Sequence, residues 1–471
     1  MPADTAIADL APTLQRLRAA WQANPPSLRQ RADDLDRLRA AFARRIPGMD
    51  AAIRADYGHR SPHENLISEA MVVLAEIDHA RRNLKRWARP RRVSVGWKFW
   101  PARAQVRPVP VGVVGILSPW NYPVNLALVP LVSAIAAGNH AYLKPSEQTP
   151  RTSAWLRELL AEVFPPERVA VALGGAGVGA AFAALPFDHL LFTGSTAVGR
   201  KVMAAAAPNL TPVTLELGGK SPALVAPDFP IDVAAARIAS GKWFNAGQTC
   251  IAVDYVLVDA ARRDALVAAL RREVAARFGD LVATPDYTRV ISDAAYARLR
   301  AIVEDARTRG ADIVELLPFD ATHAQRERLF APTLLVDPPD ASQAMQQEIF
   351  GPLLPVRSYR TIDEALACIH AHDRPLALYP FSNDRALLER LMREVVAGAV
   401  SVNDTLWHFG VHDLPFGGIG PSGMGAIHGR HGFDTFSKLL PVFRQVRWTA
   451  TDLLKPPYRG KVDRLIRFLA R

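Results

Sequence analysis

The stretch Leu190-Leu-Phe-Thr-Gly-Ser-Thr-Ala-Val-Gly199 reads as an apolar strand that breaks at Gly194-Ser195 and continues as helix. Such a turn leaves free backbone N–H groups, a hydroxyl and the positive end of a helix dipole at one spot, which suits a pyrophosphate. A plain Ser/Thr helix cap explains the same residues equally well. A second glycine cluster, Gly175-Ala-Gly177-Val-Gly179, meets a relaxed dinucleotide fingerprint, but the acid expected about 20 residues on is missing and Phe192-Thr-Gly-Ser195 stands there instead. It reads as a glycine-rich strand-to-helix loop.

Outward from Leu190 the same grammar repeats. Short β-branched runs at Val111 to Leu117, Ala141 to Leu143, Val169 to Leu173, His189 to Phe192, Pro212 to Leu217 and Ala223 to Ala226 each lead through a turn into helical text. That is the spacing of βαβ units and predicts a parallel sheet. A second series follows at Tyr255 to Val258, Ile313 to Leu317, Thr333 to Val336, Leu353 to Ser358 and Ala399 to Val402, which places a domain boundary near residue 245. The expected fold is α/β, with a Rossmann-like cofactor domain over 1–96 and 110–245 and a second α/β domain over 246–412.

The flanks differ in character. Leu14, Leu17 and Trp21, then Leu35, Leu38 and Phe42, recur at helical spacing, so the first 93 or so residues read as helices. Trp97, Phe99, Trp100, Val106 and Val109 among prolines 101, 108 and 110 suggest an edge hairpin over 97–109, a natural meeting place for subunits. The tail from 450 to 471 sets Leu465, Ile466, Phe468 and Leu469 among arginines. It suits a short amphipathic helix docked on protein, or one in weak contact with a membrane surface, and is too short and charged to cross a bilayer.

Composition narrows the function. With 471 residues, 49% apolar and 22% charged, the chain can bury large cores and is neither disordered nor a membrane bundle. Two cysteines, Cys250 and Cys368, rule out a disulfide scaffold or a multi-cysteine metal site, and fit a reducing compartment. The net charge of +11 raises the question of nucleic acid, yet the basic residues are mostly Arg interleaved with acids, as on solvated helix faces. The N-terminal residues carry Asp4 and Asp9 and no apolar run, so no signal peptide is read there and a cytoplasmic location is expected.

A lone cysteine is usually inert, and Cys368 in helical text is read so. Cys250, in Phe244-Asn-Ala-Gly-Gln-Thr-Cys250, lies on a loop between the two predicted domains, and Gly247 lets backbone approach it closely. That setting suits a nucleophile. It joins Pro119-Trp-Asn-Tyr-Pro123, Lys144-Pro-Ser-Glu147, Phe192-Thr-Gly-Ser195, Leu215-Glu-Leu-Gly-Gly-Lys220, Glu348-Ile-Phe-Gly-Pro352 and Pro415-Phe-Gly-Gly-Ile-Gly420, all in one order. Jointly these segments resemble the aldehyde dehydrogenase superfamily from about residue 10 to 450. The ending His428-Gly-Arg-His-Gly-Phe-Asp-Thr-Phe-Ser437 is most similar to its class 3, fatty-aldehyde and coniferyl-aldehyde branch.

The resemblance implies that Cys250 attacks a small-molecule aldehyde as thiolate, that Asn121 with the Cys250 backbone N–H stabilises the oxyanion, and that Glu216 activates water to release the acid. It implies an NAD site, with NADP also accepted. Lys144 and Glu147 would hold the adenosine ribose, Ser195 the pyrophosphate, Glu348 the nicotinamide ribose and Phe350 the nicotinamide ring, with Trp120 and Gly194 lining the groove. Glu147 would repel a 2′-phosphate, which leans toward NAD. A homodimer built on 97–109 and 437–449 is also implied, with no metal and no nucleic acid. Tyr122, Trp243, Trp407, His408 and Phe409 would form an aromatic funnel for aryl-propenals or medium and long aliphatic aldehydes. The family's proline soon after the nucleophile is missing, since the chain reads Cys250-Ile-Ala-Val253. Transfer of the acyl group to coenzyme A, and a silent basic binding protein on the same fold, are alternatives that the trio Cys250, Asn121 and Glu216 argues against.

Overall fold

The computed structural model describes residues 3–318, 327–447, 449, 451–452, 455–456 and 460–470. The chain starts with helices Ile7–Ala23 and Leu28–Tyr57, the second capped by Ser27, whose hydroxyl accepts from the Gln30 N–H. Leu35, Leu38, Phe42, Met49, Ile53 and Tyr57 form its buried face, at the three-four spacing expected. A short helix Pro62–Asn65 then runs through a π-helical turn, Leu66–Met71, into Val72–Trp87.

The first sheet has six strands in the order Gly423–Met424, Val213–Glu216, His189–Thr193, Val113–Leu117, His140–Lys144 and Val169–Val171. All pairs are parallel except the edge strand Gly423–Met424. From Val113–Leu117 the chain winds one way to its second and third strands, then returns to the other side for the fourth and fifth. The switch point lies between Val113–Leu117 and His189–Thr193, and the crevice beyond the strand C-termini there is where such sheets bind ligands. Helix Asn125–Ala137 follows the first strand and is buried at every residue, which is why its sequence is apolar all round.

The second sheet has seven strands: Asp312–Glu315, Thr333–Val336, Leu353–Tyr359, Tyr255–Asp259, Pro222–Val225, Ala377–Phe381 and Ala399–Val400. Only Asp312–Glu315 runs antiparallel to its neighbour. Here the expected division shifts. Pro222–Val225 belongs to this sheet, so the chain leaves the first sheet between Glu216 and Pro222 instead of near 245; a buried parallel strand reads the same in either sheet. The strand Ala377–Phe381 has no counterpart in the sequence reading. Pro380 argues against a central strand, yet its missing N–H is tolerated opposite Leu224.

The third sheet is antiparallel, in the order Arg91–Val93, Arg103–Pro110, Ser437–Arg444. The hairpin is therefore wider than 97–109: its first strand precedes that span, and Trp97–Phe99 is a 3-10 turn at its tip. The late strand ends at Arg444, short of residue 449. Trp97, Trp100 and Phe443 stand exposed on it. In the tail, Gly460–Leu469 is helical as expected, with Ile466 exposed, while the side chains of Leu465, Phe468 and Leu469 lie outside the described residues. Among the described residues no helix is long and apolar enough to cross a membrane.

Candidate active site

Four neighbouring strands of the first sheet end in the residues singled out by sequence. Leu117 leads to Trp120 and Asn121, His140–Lys144 ends on Lys144, His189–Thr193 opens onto Gly194 and Ser195, and Val213–Glu216 ends on Glu216. Parallel pairing puts all of them along one edge, which a 100-residue spread in sequence conceals.

Cys250 follows a tight 3-10 turn, Phe244–Gly247, in which Asn245, Ala246 and Gly247 all take positive φ (52°, 50° and 72°). Only glycine fits at 247, because a Cβ there would strike the Gly351 carbonyl oxygen. Two non-glycine residues in the left-handed region are strained, and the turn is held by its neighbours. Glu64 accepts from the Asn245 N–H (3.0 Å), and the Asn245 amide donates to the carbonyls of Asn121 and Gln248 (3.1 Å each). Gln248, fully buried, donates to the Asn245 and Arg289 carbonyls and accepts from the Ile291 N–H.

Asn121 is 3% exposed and tied down at both ends. Its backbone carbonyl accepts from Arg60 (2.9 Å), Tyr57 (3.2 Å) and Asn245 (3.1 Å). Its side-chain Nδ2 donates to the Gln248 carbonyl at 3.1 Å. A carbonyl only accepts, so this bond fixes the amide's orientation and leaves the second N–H free to donate.

Arg60 and Glu69, both 0% exposed, form the support beneath. Arg60 lies between the rings of Tyr57 and Tyr122, at 5.1 and 5.0 Å. Glu69 meets Arg60 at 3.4 Å and accepts from the N–H groups of Val124 and Asn125 at the start of helix Asn125–Ala137. These residues escaped the sequence reading: Arg60-Ser-Pro-His-Glu64 looks like an ordinary charged helix start, and only burial marks it.

Glu216 is 3% exposed and neither carboxylate oxygen has a hydrogen-bond partner. Burial alone holds its carboxyl well above the usual range, as its apolar neighbours suggested. Cys250 is half-buried, and its thiol is pushed up to about 12 by burial, then by the charges of Glu348 and Glu216. The thiol is therefore protonated at rest, and the unpartnered Glu216 carboxyl lies in the same cavity. Cys368 packs in a separate core cluster, as an inert cysteine should.

Cys250, Glu216, Tyr122 and Thr249 share one cavity, whose walls are otherwise mainly Ile67, Val72, Leu126, Phe244, Leu406, Trp407, Phe409 and Phe416. Of the expected funnel, Tyr122, Trp407 and Phe409 line it. Trp243 does not: it is 1% exposed and bonds the Pro352 carbonyl, a core residue. His408 stands behind the wall, stacked on Phe416 at 6.2 Å.

Glu348 and Phe350 come from the second sheet's side. Lys220 and Asp254, a buried ion pair, pin their loop: Asp254 accepts from the Ile349 N–H (2.9 Å) and Lys220 donates to the Ala344 and Gln347 carbonyls. Glu348 rests on Gly218, where a Cβ would meet its carboxylate, and is raised to about 8 by burial and by Asp254. Phe350, with φ 49°, stands edge-on to Trp120 at 5.3 Å. Ser195 caps helix Thr196–Ala206, whose first turn holds no acid, and Lys144 binds Glu147 at 2.7 Å. An uncompensated helix N-terminus, an ion pair two strand ends along the same edge, an aromatic pair and a carboxyl seated on glycine fit an extended dinucleotide.

The aldehyde dehydrogenase family model matches residues 5–441, and the chain belongs to that family. It is 47% identical to a probable coniferyl aldehyde dehydrogenase of Pseudomonas aeruginosa, covering 98% of this chain and 96% of that one. Its structure is similar to the substrate-bound state of Staphylococcus aureus AldH, with TM-score 0.93, 36% identity and coverage of 99% and 100%. It is also similar to an NAD-dependent aldehyde dehydrogenase from Sinorhizobium meliloti, with TM-score 0.84, 30% identity and coverage of 95% and 89%. The chain is an oxidoreductase that oxidises an aldehyde with a nicotinamide cofactor, NAD.

Proposed function

We propose that this enzyme oxidises apolar aldehydes, aryl-propenals such as coniferaldehyde or medium and long aliphatic ones, to carboxylic acids, with Cys250, Asn121 and Glu216 as its chemical residues. The observation that carries this reading is that the Cys250 thiol and an unpartnered, buried Glu216 carboxyl line one largely apolar cavity.

Glu216 takes the Cys250 proton, and the thiolate adds to the aldehyde carbon to give a thiohemiacetal. The free N–H of Asn121 and the backbone N–H of Cys250 receive the oxyanion; the amide is pre-oriented by its bond to Gln248, so little reorganisation accompanies the charge. NAD, when bound, supplies the acceptor for the hydride that this carbon loses. Cys250 is left as a thioester. Glu216 gives the cysteine proton up to solvent and then, as carboxylate, accepts one from the water that attacks the thioester; the C–S bond breaks, the acid departs and the Cys250 thiolate is restored. A water-activating carboxylate on the cavity wall favours hydrolysis over acyl transfer to coenzyme A.

For the cofactor, we assign Lys144 and Glu147 to the adenosine ribose and Ser195, with Gly194, to the pyrophosphate. Glu348 takes the nicotinamide ribose, and Phe350 with Trp120 borders the ring. Glu147 faces a position where a 2′-phosphate would be repelled, so NAD is preferred. The first sheet then serves the cofactor and the second carries the nucleophile loop. The exposed Trp100 and Phe443 of the third sheet suit a homodimer, and the two unpaired cysteines suit the cytoplasm.

The test is reduced-nicotinamide formation with coniferaldehyde and decanal, each with NAD and NADP, beside Cys250→Ala. Turnover is expected with at least one pair, and none in the variant, which should still bind NAD. Turnover surviving in Cys250→Ala would overturn the assignment of the nucleophile.

A further inference from the structure

The interleaving of arginines with acids fails over one stretch. Between His79 and Ser146 the chain holds eleven Lys and Arg and no Asp or Glu, as many positive charges as the whole net excess of +11. Four of them, Arg86, Arg89, Arg91 and Arg92, meet where helix Val72–Trp87 ends and strand Arg91–Val93 begins, and with Arg430 they line a groove of about 630 Å³. Arg430 is neutralised by Asp434 at 2.8 Å. The other four are exposed and have neither an ion pair nor a side-chain hydrogen bond among the described residues, whereas Arg81 on the same helix pairs with Asp36 at 2.9 Å. Among the described residues no carboxylate lines the groove.

The donor set fixes the class of ligand. A guanidinium only donates, and the remaining lining side chains, Trp87 and Pro90, offer no acceptor. No lining side chain can receive a ligand's donor, as recognition of a base, a sugar or a peptide would require. Unpaired like charges around one concave surface repel each other and focus their field on it, so a compact anion with several charges gains most. A phosphate group carries close to two charges near neutrality and presents oxygens in the geometry of the guanidinium fork.

We propose that this groove binds a multiply charged phosphate, at a site separate from the cofactor's. Val72, at the other end of the same helix, lines the Cys250 cavity, roughly 22 Å away along the helix axis. Strand Arg103–Pro110, which pairs with Arg91–Val93, leads into the start of Val113–Leu117, and it is the far end of that strand that opens onto Trp120 and Asn121. The same chemistry reaches a protein either as free polyphosphate or as the headgroups of an anionic bilayer.

The experiment titrates inorganic triphosphate into the NAD-saturated enzyme by calorimetry at about 0.1 M salt, so that the cofactor's own phosphate site is filled. Wild type is compared with Arg89→Gln/Arg92→Gln and with a control, Arg271→Gln/Arg385→Gln, that removes the same charge from exposed positions elsewhere. Aldehyde oxidation should be unchanged in both variants. Wild type and the control should bind alike, and the groove variant roughly 10-fold more weakly or worse. No binding by wild type, equal binding by all three proteins, or equal weakening in both variants overturns the proposal. Vesicles then separate the sources. Sedimentation of wild type, and not of the groove variant, with phosphatidylglycerol vesicles but not with phosphatidylcholine ones assigns the groove to a bilayer headgroup; triphosphate binding without sedimentation assigns it to free phosphate.

Discussion

The two walls that flank Cys250 are built on opposite rules. On one, the Asn121 carbonyl takes three donors and its amide a fourth bond, so the residue is over-determined by Arg60, Tyr57, Asn245 and Gln248. On the other, Glu216 ends a strand with both carboxylate oxygens bare. The difference fits the roles proposed for the two groups. An oxyanion donor works by being in place before charge appears, so every tie that stops it moving is useful. A base has to keep lone pairs free and a pKa high enough to take a proton, so every hydrogen bond it lacks is useful.

Glu216→Gln is the largest test of this contrast. It is expected to lower steady-state turnover by about 100-fold or more, with a burst of reduced nicotinamide retained because hydrolysis suffers more than acylation. Loss of the burst together with turnover would show that Glu216 matters as much to thiol deprotonation, and an unchanged rate without a burst would remove it from the mechanism.

On the opposite wall the expected order is Asn121→Ala first, with a drop in kcat of about 100-fold, and Arg60→Met second, with a drop of about 10-fold and little change in KM. Arg60 touches no reacting atom; it positions Asn121. Arg60→Lys should recover part of the loss, since Lys keeps a donor for the Asn121 carbonyl but not the flat stacking between two tyrosines. If Arg60→Met raised KM and left kcat alone, the support would serve substrate binding and the comparison of the walls would fail on this side.

How much of this the sequence discloses differs by wall in the same way. Cys250, Glu216 and Asn121 carry local signals, a glycine before the thiol or an acid between leucines, and the joint motif order made the family plain. The supports do not. Arg60, Glu64 and Glu69 are spaced as surface charges are, and nothing in a string reveals that they lie at 8% exposure or less beneath a loop some 60 and 180 residues away. Most strands were legible from their β-branched runs, but not Ala377–Phe381, where Pro380 masks the pattern, nor the short Arg91–Val93 and Gly423–Met424, and the assignment of Pro222–Val225 to a sheet needed the pairing itself.

The smallest effect isolates Glu216 without any catalysis. Its carboxyl is raised in the folded protein by burial, and in the unfolded chain it titrates near about 4.3. The folded state therefore holds a proton that the unfolded state has given up, so the stability linked to this group is complete below that unfolded pKa and declines as pH rises toward the folded one. Glu64 and Glu69, each raised to about 7, and Glu348, at about 8, add to the same decline, which no single variant abolishes. Glu216→Gln keeps the neutral shape and removes one contributor. Its Tm relative to wild type should thus climb by roughly 1 °C or more between pH 5.5 and pH 9, while the same comparison for Asn121→Ala stays flat. A pH-independent difference for Glu216→Gln would mean that the carboxyl finds a partner in solution, and with it the contrast between a fastened wall and a bare one would disappear.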